Sequence, residues 1–267
     1  MPKGYVDTPE GQIHYWDEGT GDPVILLHQA PSSLMMWSAF IPHLVGTGRR
    51  VIALDLPGYG MSDAPPSPPT VEYYARRVLD ALSRMGIERF DGVGHHTGAS
   101  VLMAASLEQP GRVRRIVAYG VALLDEETAR ALAEEEPPVF DEQATDILTW
   151  WKAFWTLSGP DLAPTVAPRC LGDLMLSGDK RPYGHNAVGR TDHRPYIDRL
   201  RVPTLALAGS REMLREETER SAGLSEWIRF HEIPDAGVFV ADERPDELAR
   251  VVDEFLRLPG ARLAASS

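Results

Sequence analysis

One stretch of the chain joins a chemically useful side chain to a sharp backbone signal. In Gly94-His95-His96-Thr97-Gly98 an imidazole stands at the centre of a Gly-x-His-x-Gly frame, directly after the apolar run Phe90–Val93. Glycines on both sides permit a tight turn that pushes the middle side chain out of the backbone. An unperturbed histidine titrates near pH ~6.5, so His96 could pass protons at neutrality, work worth about 10²–10⁴-fold in rate. Its neighbour His95 reads as a packing residue, and Ser100, one turn on, as packing rather than a nucleophile.

Other candidates are less specific. Trp150, Trp151, Phe154 and Trp155 recur at the spacing of one aromatic helix face. Helical core is the default for such a face, but turned toward a cavity Trp150 and Trp155 would bind an apolar or aromatic ligand. His185, Asp192 and His193 could add polar contacts. The separation of His185 from His193 fits neither one helix face nor a compact ligand motif, so no metal is expected. Cys170 is the sole cysteine, which excludes an internal disulfide and a cysteine-cluster metal site. Gly58 and Gly60 lie in a turn outside any Gly-x-Gly-x-x-Gly frame, so no dinucleotide is implied.

The whole chain narrows the setting. Its 267 residues carry 27 Lys+Arg against 39 Asp+Glu, so 27 − 39 gives a formal charge of −12. Such a chain repels a polyanion, and no basic patch offsets it, so nucleic acid is not an expected partner. No apolar stretch approaches the ~18–20 residues that span a bilayer, and Met1-Pro2-Lys3-Gly4-Tyr5 opens no apolar signal segment. With 43% hydrophobic and 25% charged residues, the composition is that of an ordinary globular protein. The expectation is a cytoplasmic protein with a small-molecule partner and no membrane, its self-association left open.

The elements that must position His96 can be read from hydrophobic pattern. Val24–Leu27, Arg50–Leu54, Phe90–Val93, Arg115–Tyr119 and Val202–Ala208 are short runs apolar on both faces, as buried parallel strands require, and Gly11–Trp16 alternates weakly like a further strand. Between them, Val71–Met85, Ala99–Leu107 and Asp246–Leu256 carry apolar residues at helical spacing. Strands alternating with helices predict an α/β fold with a mostly parallel central sheet flanked by helices. From about Leu123 to Pro195 the strand runs stop, and the stretch is too long for a loop, which predicts a helical cap. The domain expectation is a core of residues 1–122 and 196–267 around a cap of residues 123–195.

With these elements in place, the chain resembles the α/β-hydrolase superfamily over nearly its whole length. His28-Gln29-Ala30-Pro31 is similar to the family's His-Gly-x-Pro loop, and Asp55-Leu56-Pro57-Gly58-Tyr59-Gly60 to the loop after its fourth strand. Gly94-His95-His96-Thr97-Gly98 has the frame of the Gly-x-Ser-x-Gly nucleophile elbow. Pro203–Gly209 resembles the strand before the catalytic acid, and Ile233–Val238 the segment ending in the catalytic histidine. The family order of nucleophile, acid and histidine falls on His96, Glu212 and Val238. Two of these three residue types are wrong for a serine hydrolase: His96 has no hydroxyl, and Val238 has no titratable atom.

The resemblance therefore implies a cofactor-free enzyme whose triad is degenerate. An imidazole at the elbow reaches further than a serine hydroxyl, into space the missing histidine would have filled, where Glu212 could hold one ring nitrogen. Such a dyad suits hydrolysis by activated water, or proton transfer of the lyase, cyclase or decarboxylase type. By family position the backbone N–H groups of Ala30 and Thr97 would form an oxyanion hole. Gln29 replaces a glycine and either extends an amide into the pocket or turns back to the backbone, and Val238 joins the pocket wall. The arginine-rich, triad-altered chain suggests a specialised metabolic role. The alternative is an inactive pseudo-hydrolase that only binds a ligand, since this scaffold hosts many functions.

Overall fold

Runs that bury both faces become the middle of a sheet. In a computed structural model that describes residues 2–258, the strands are β1 (Lys3–Thr8), β2 (Gly11–Glu18), β3 (Pro23–Leu27), β4 (Arg50–Leu54), β5 (Phe90–His95), β6 (Val113–Tyr119), β7 (Thr204–Gly209) and β8 (Ile228–Ile233). They form one sheet in the order β1-β2-β4-β3-β5-β6-β7-β8. Only the β1–β2 and β2–β4 pairings are antiparallel; the others are parallel. Every run read as a strand contributes to it, the run from Val202 starting two residues ahead of β7. The two edge strands β1 and β8 were not anticipated, because half-exposed edges carry polar residues that break up an apolar run.

Helices cover both faces, as a parallel sheet demands. The helices are α1 (Phe40–Val45), α2 (Val71–Arg84), α3 (Thr97–Glu108), α4 (Glu126–Ala133), α5 (Thr145–Ser177), α6 (Tyr183–Gly189), α7 (Arg194–Arg199), α8 (Arg215–Ala222), α9 (Val240–Glu243) and α10 (Pro245–Leu256). On one face Tyr74, Val78, Leu79 and Leu82 of α2 and Leu102 of α3 pack onto Ile25, Leu27, Ile52 and Ile116. On the other, Phe40, Ile41 and Leu44 of α1 meet Leu248, Val252 and Phe255 of α10 over Val24, Leu26 and Val117. The Thr70 hydroxyl accepts from Tyr73 N–H (3.2 Å) to cap α2, one of the orphan donors at a helix start. No helix among the described residues is long and apolar enough to cross a membrane.

The stretch expected to be helical between 123 and 195 holds α4, α5 and α6. Helix α5 breaks at Gly159, where φ is 69°, and Pro160 opens the segment after it, a position that needs no N–H. The expected edge of the cap at residue 195 falls inside α7, whose Tyr196 and Ile197 belong to the apolar layer of the core. Residue 1 and residues 259–267 of the expected core range lie outside the described residues.

Candidate active site

The elbow forms where β5 runs into α3. His96 sits between them with φ 44° and ψ −104°, a left-handed backbone that costs a side chain on the order of 1–3 kcal/mol. Backbone bonds pin it: His96 N–H donates to Tyr119 O (2.8 Å), and Ser100 N–H donates to His96 O (3.1 Å). The turn closes so tightly that a β-carbon on Gly98 would collide with the Leu27 carbonyl, and one on Gly94 with the backbone of Gly98. That is why the frame needs its glycines.

The imidazole points toward the loop after β7. His96 Nε2 lies 3.0 Å from Glu212 Oε1. The Glu212 side chain is 0% exposed, whereas that of His96 retains 17%. Glu212 Oε1 also accepts from Leu214 N–H (3.3 Å), while Oε2 is buried without a hydrogen-bond partner. The ring rests against Gly120, at the end of β6, where a β-carbon would stand 2.5 Å from Nε2. Neither Gly120 nor its part in seating the ring was legible in the sequence, since the contact crosses between two strands.

Tyr119 supplies the second support that sequence reasoning missed. Its hydroxyl donates to Gly237 O (2.6 Å) and accepts from Gly209 N–H (2.9 Å), tying the loop that carries Val238 to the strand that leads to Glu212. Burial first, then the nearby Glu212 carboxylate, raises the pKa of this phenol, so it stays protonated.

His95 is fully buried, with its ring 4.5 Å from that of His96 and 4.7 Å from that of Tyr119, centre to centre. Neither of its ring nitrogens has a hydrogen-bond partner. Burial, reinforced by His96, pushes its pKa well below the ordinary histidine value, so it is neutral. One donor atom from each of His95, His96 and Glu212 falls within 4.8 Å of the others.

The remaining candidates divide. Ala30 and Thr97 do come together, but the Ala30 N–H donates to Thr97 Oγ1 (3.3 Å), so it is engaged rather than left open as an oxyanion donor. A threonine side chain that follows the elbow can turn back on the loop, an option the backbone-only expectation omitted. The amide of half-buried Gln29 makes no hydrogen bond among the described residues, while its carbonyl meets His28 Nδ1 (2.8 Å). His185 is not a free pocket group: Nδ1 meets Glu135 Oε2 (2.5 Å) and Nε2 meets Ala30 O (2.8 Å), so both nitrogens fasten the cap to the core loop. Arg181 joins Glu135 (2.6 Å) and lies 4.0 Å over the Trp150 ring.

The aromatic face splits. Trp150 pairs with Phe154 and Trp151 with Trp155, and residues one apart on a helix diverge by about 100°. Phe154 is buried with Val166, Leu174, Val238 and Phe239, with Trp150 packed against them, whereas Trp155 is 39% exposed. Trp155, expected to line a pocket, is the most exposed of the four, and Trp151, like Trp150, packs on this seam. Val238 is packed into this apolar seam between cap and core. His193 is buried, its Nε2 2.7 Å from Ser100 Oγ. Cys170 is also buried, and its thiol is pushed up to about 12 by burial, which suits no nucleophile.

Residues 22–167 match the family described as alpha/beta hydrolase fold. The chain is similar to bifunctional epoxide hydrolase 2 of Sus scrofa, at 24% identity over 96% of this chain and 55% of that protein, so it spans about half that relative's length. It is similar to fluoroacetate dehalogenase of Burkholderia sp at 25% identity, over 94% of this chain and 92% of that one. The solved enol-lactonase from Burkholderia xenovorans LB400 superposes with a TM-score of 0.78 at 22% identity, covering 96% of this chain and 100% of that one.

Proposed function

Because the chain belongs to the alpha/beta hydrolase fold family, we propose that it is a cofactor-independent enzyme in which His96, oriented by Glu212, moves protons for a small apolar or aromatic substrate. The observation that carries this reading is the 3.0 Å contact between His96 Nε2 and the wholly buried carboxylate of Glu212. A buried carboxylate accepting at Nε2 holds the proton there and leaves the lone pair on Nδ1. Nδ1 makes no hydrogen bond among the described residues, and the side chain keeps contact with solvent-accessible space. Nδ1 is therefore the basic atom. It takes a proton from water or from an acidified C–H, and the Glu212 carboxylate stabilises the imidazolium that results.

Two outcomes of that proton transfer remain in play. With water as the acid, the hydroxide formed attacks an electrophilic carbon, opening an epoxide to an alkoxide that takes the proton back from the imidazolium, or expelling halide from a haloacid. With a substrate C–H as the acid, the carbanion expels a leaving group or closes a ring, as in a lyase or cyclase; in decarboxylation the proton runs the other way, from the imidazolium to the carbanion left as carbon dioxide departs. Trp150, packed beside Val238 on the apolar seam of the cap, is the wall this reading gives an apolar or aromatic substrate, and the Gln29 amide the hydrogen bond at its polar end. The relatives' names point to epoxides and fluoroacetate as the first compounds to try.

The test compares wild type with His96→Ala on a panel of aromatic epoxides and haloacids, with ligand affinity followed by calorimetry. Turnover falling about 10²–10⁴-fold at retained affinity is expected. Ligand binding without turnover in either form would reject the enzyme and leave a ligand-binding protein.

A further inference from the structure

Three side chains with potential donor atoms meet beside the elbow, two of them carrying unpaired buried atoms, and no Lys or Arg among the described residues pairs with the carboxylate among them. Glu212 has a side chain 0% exposed, and the one ion-pairing partner it has there is His96. Its Oε2 is buried and unpaired, and so are both ring nitrogens of His95. Leaving a buried polar atom unsatisfied costs about 1–3 kcal/mol, and a charged one more. Side chains that share such a deficit at one point are satisfied together by a cation.

We propose that His95, His96 and Glu212 form a binding site for one divalent transition-metal ion of the zinc class, and that the bound ion silences the acid–base dyad. The donor set is two imidazoles and one carboxylate, a combination that holds zinc in catalytic sites and other first-row ions in open ones. Two nitrogen donors argue against Mg²⁺ and Ca²⁺, which take oxygen ligands. His96 Nε2 and Glu212 Oε1 are 3.0 Å apart, already close to the donor–donor edge of a tetrahedral ion with bonds of ~2.0–2.2 Å. One donor atom from each of the three lies within 4.8 Å of the others, so the set must draw inward to close on an ion. The partly exposed His96 side is the route of entry.

Silencing follows from tautomers. A neutral imidazole carries one N–H, so coordination through Nε2 moves that proton to Nδ1. The lone pair that faces the substrate is then gone. The binding stands on geometry alone; the silencing rests on the reading of His96 as the base. The expectation of no metal rested on His185, His193 and the sole cysteine; this set went unnoticed because the two histidines are adjacent and the third donor lies 116 residues beyond His96, a spacing with no motif signature.

The test titrates the metal-stripped full chain with Zn²⁺ against a chromogenic chelator, and with Co²⁺ read by its visible ligand-field bands. One ion per chain is expected, with Kd ~1 μM or tighter and a Co²⁺ spectrum of low coordination number. His95→Leu replaces an unpaired buried imidazole with an apolar group, so the fold should survive, while Zn²⁺ affinity falls at least about 100-fold, since even outer-shell changes cost 10–100-fold. Glu212→Gln gives the same reading should His95→Leu fail to fold. No stoichiometric Zn²⁺ binding by wild type, or undiminished binding in the variants, overturns the site. Reversal by chelator of Zn²⁺ inhibition supports the silencing. Zn²⁺ that binds with the expected ligand dependence yet leaves turnover untouched keeps the site and removes His96 as the base.

Discussion

The imidazole of His96 occupies the space in which a β-carbon on residue 120 would stand. Gly120 is thus the floor of the elbow side chain, and its own φ of 72° independently favours glycine. The dyad depends on this missing atom as much as on Glu212, because a ring lifted from Gly120 leaves the 3.0 Å contact.

Substituting Gly120→Ala should cost about 1–3 kcal/mol in backbone strain and displace the His96 ring. Turnover should drop by about 10²-fold or more while the circular dichroism of the fold is retained. The check is kcat alongside the imidazole proton resonances of His96; wild-type rates in a folded variant would show that the ring is not seated as described.

Two buried groups give stability a pH dependence of opposite sign. Burial pulls His193, packed against Ser100, down to about 4 from 6.5, so its contribution is fully present above pH 6.5 and is lost as pH falls through 4. Burial raises Asp173 from 3.8 to about 6, against the opposing hydrogen bonds of Ser33 and Ser32; its contribution is fully present below 3.8 and lost as pH rises through 6. Each is worth at most roughly 3 kcal/mol. Urea unfolding from pH 8 to pH 4 should show Asp173→Asn more stable than wild type at pH 8, with the gain disappearing toward pH 4. His193→Asn should flatten the loss of stability in acid. Parallel curves for all three proteins would contradict both assignments.

The cap is fastened through Glu135, which holds both Arg181 (2.6 Å) and His185 (2.5 Å), the latter in turn on the Ala30 carbonyl. Glu135→Gln removes the charge shared by these two bonds and should lower the cost of opening this end of the cap by about 1–3 kcal/mol. Amide exchange should accelerate in α6 (Tyr183–Gly189) and leave β5 (Phe90–His95) unchanged. Equal acceleration in both would mean global destabilisation instead of release of the cap.

Much of this fold was legible because its signals are local. Val24–Leu27, Arg50–Leu54 and Phe90–Val93 announce buried strands by their composition alone, and the Gly94 and Gly98 frame announces the turn. The edge strands escaped because burial on one face leaves no continuous apolar run. The uneven burial of Phe154 and Trp155 was not legible for a related reason: helical spacing says which residues share a face but not how wide that face is.

By itself the sequence determined the α/β layering, the cap insertion and the imidazole at the elbow, since each follows from residue types within a few positions of one another. The tertiary structure alone decided that Glu212 reaches His96, that Gly120 makes room for the ring, that Thr97 engages Ala30 and that His95 is left with two unpaired nitrogens. Those relations depend on how distant loops return to the ends of neighbouring strands. Side-chain reach and burial there are set by packing across the sheet, which no local pattern of residues encodes.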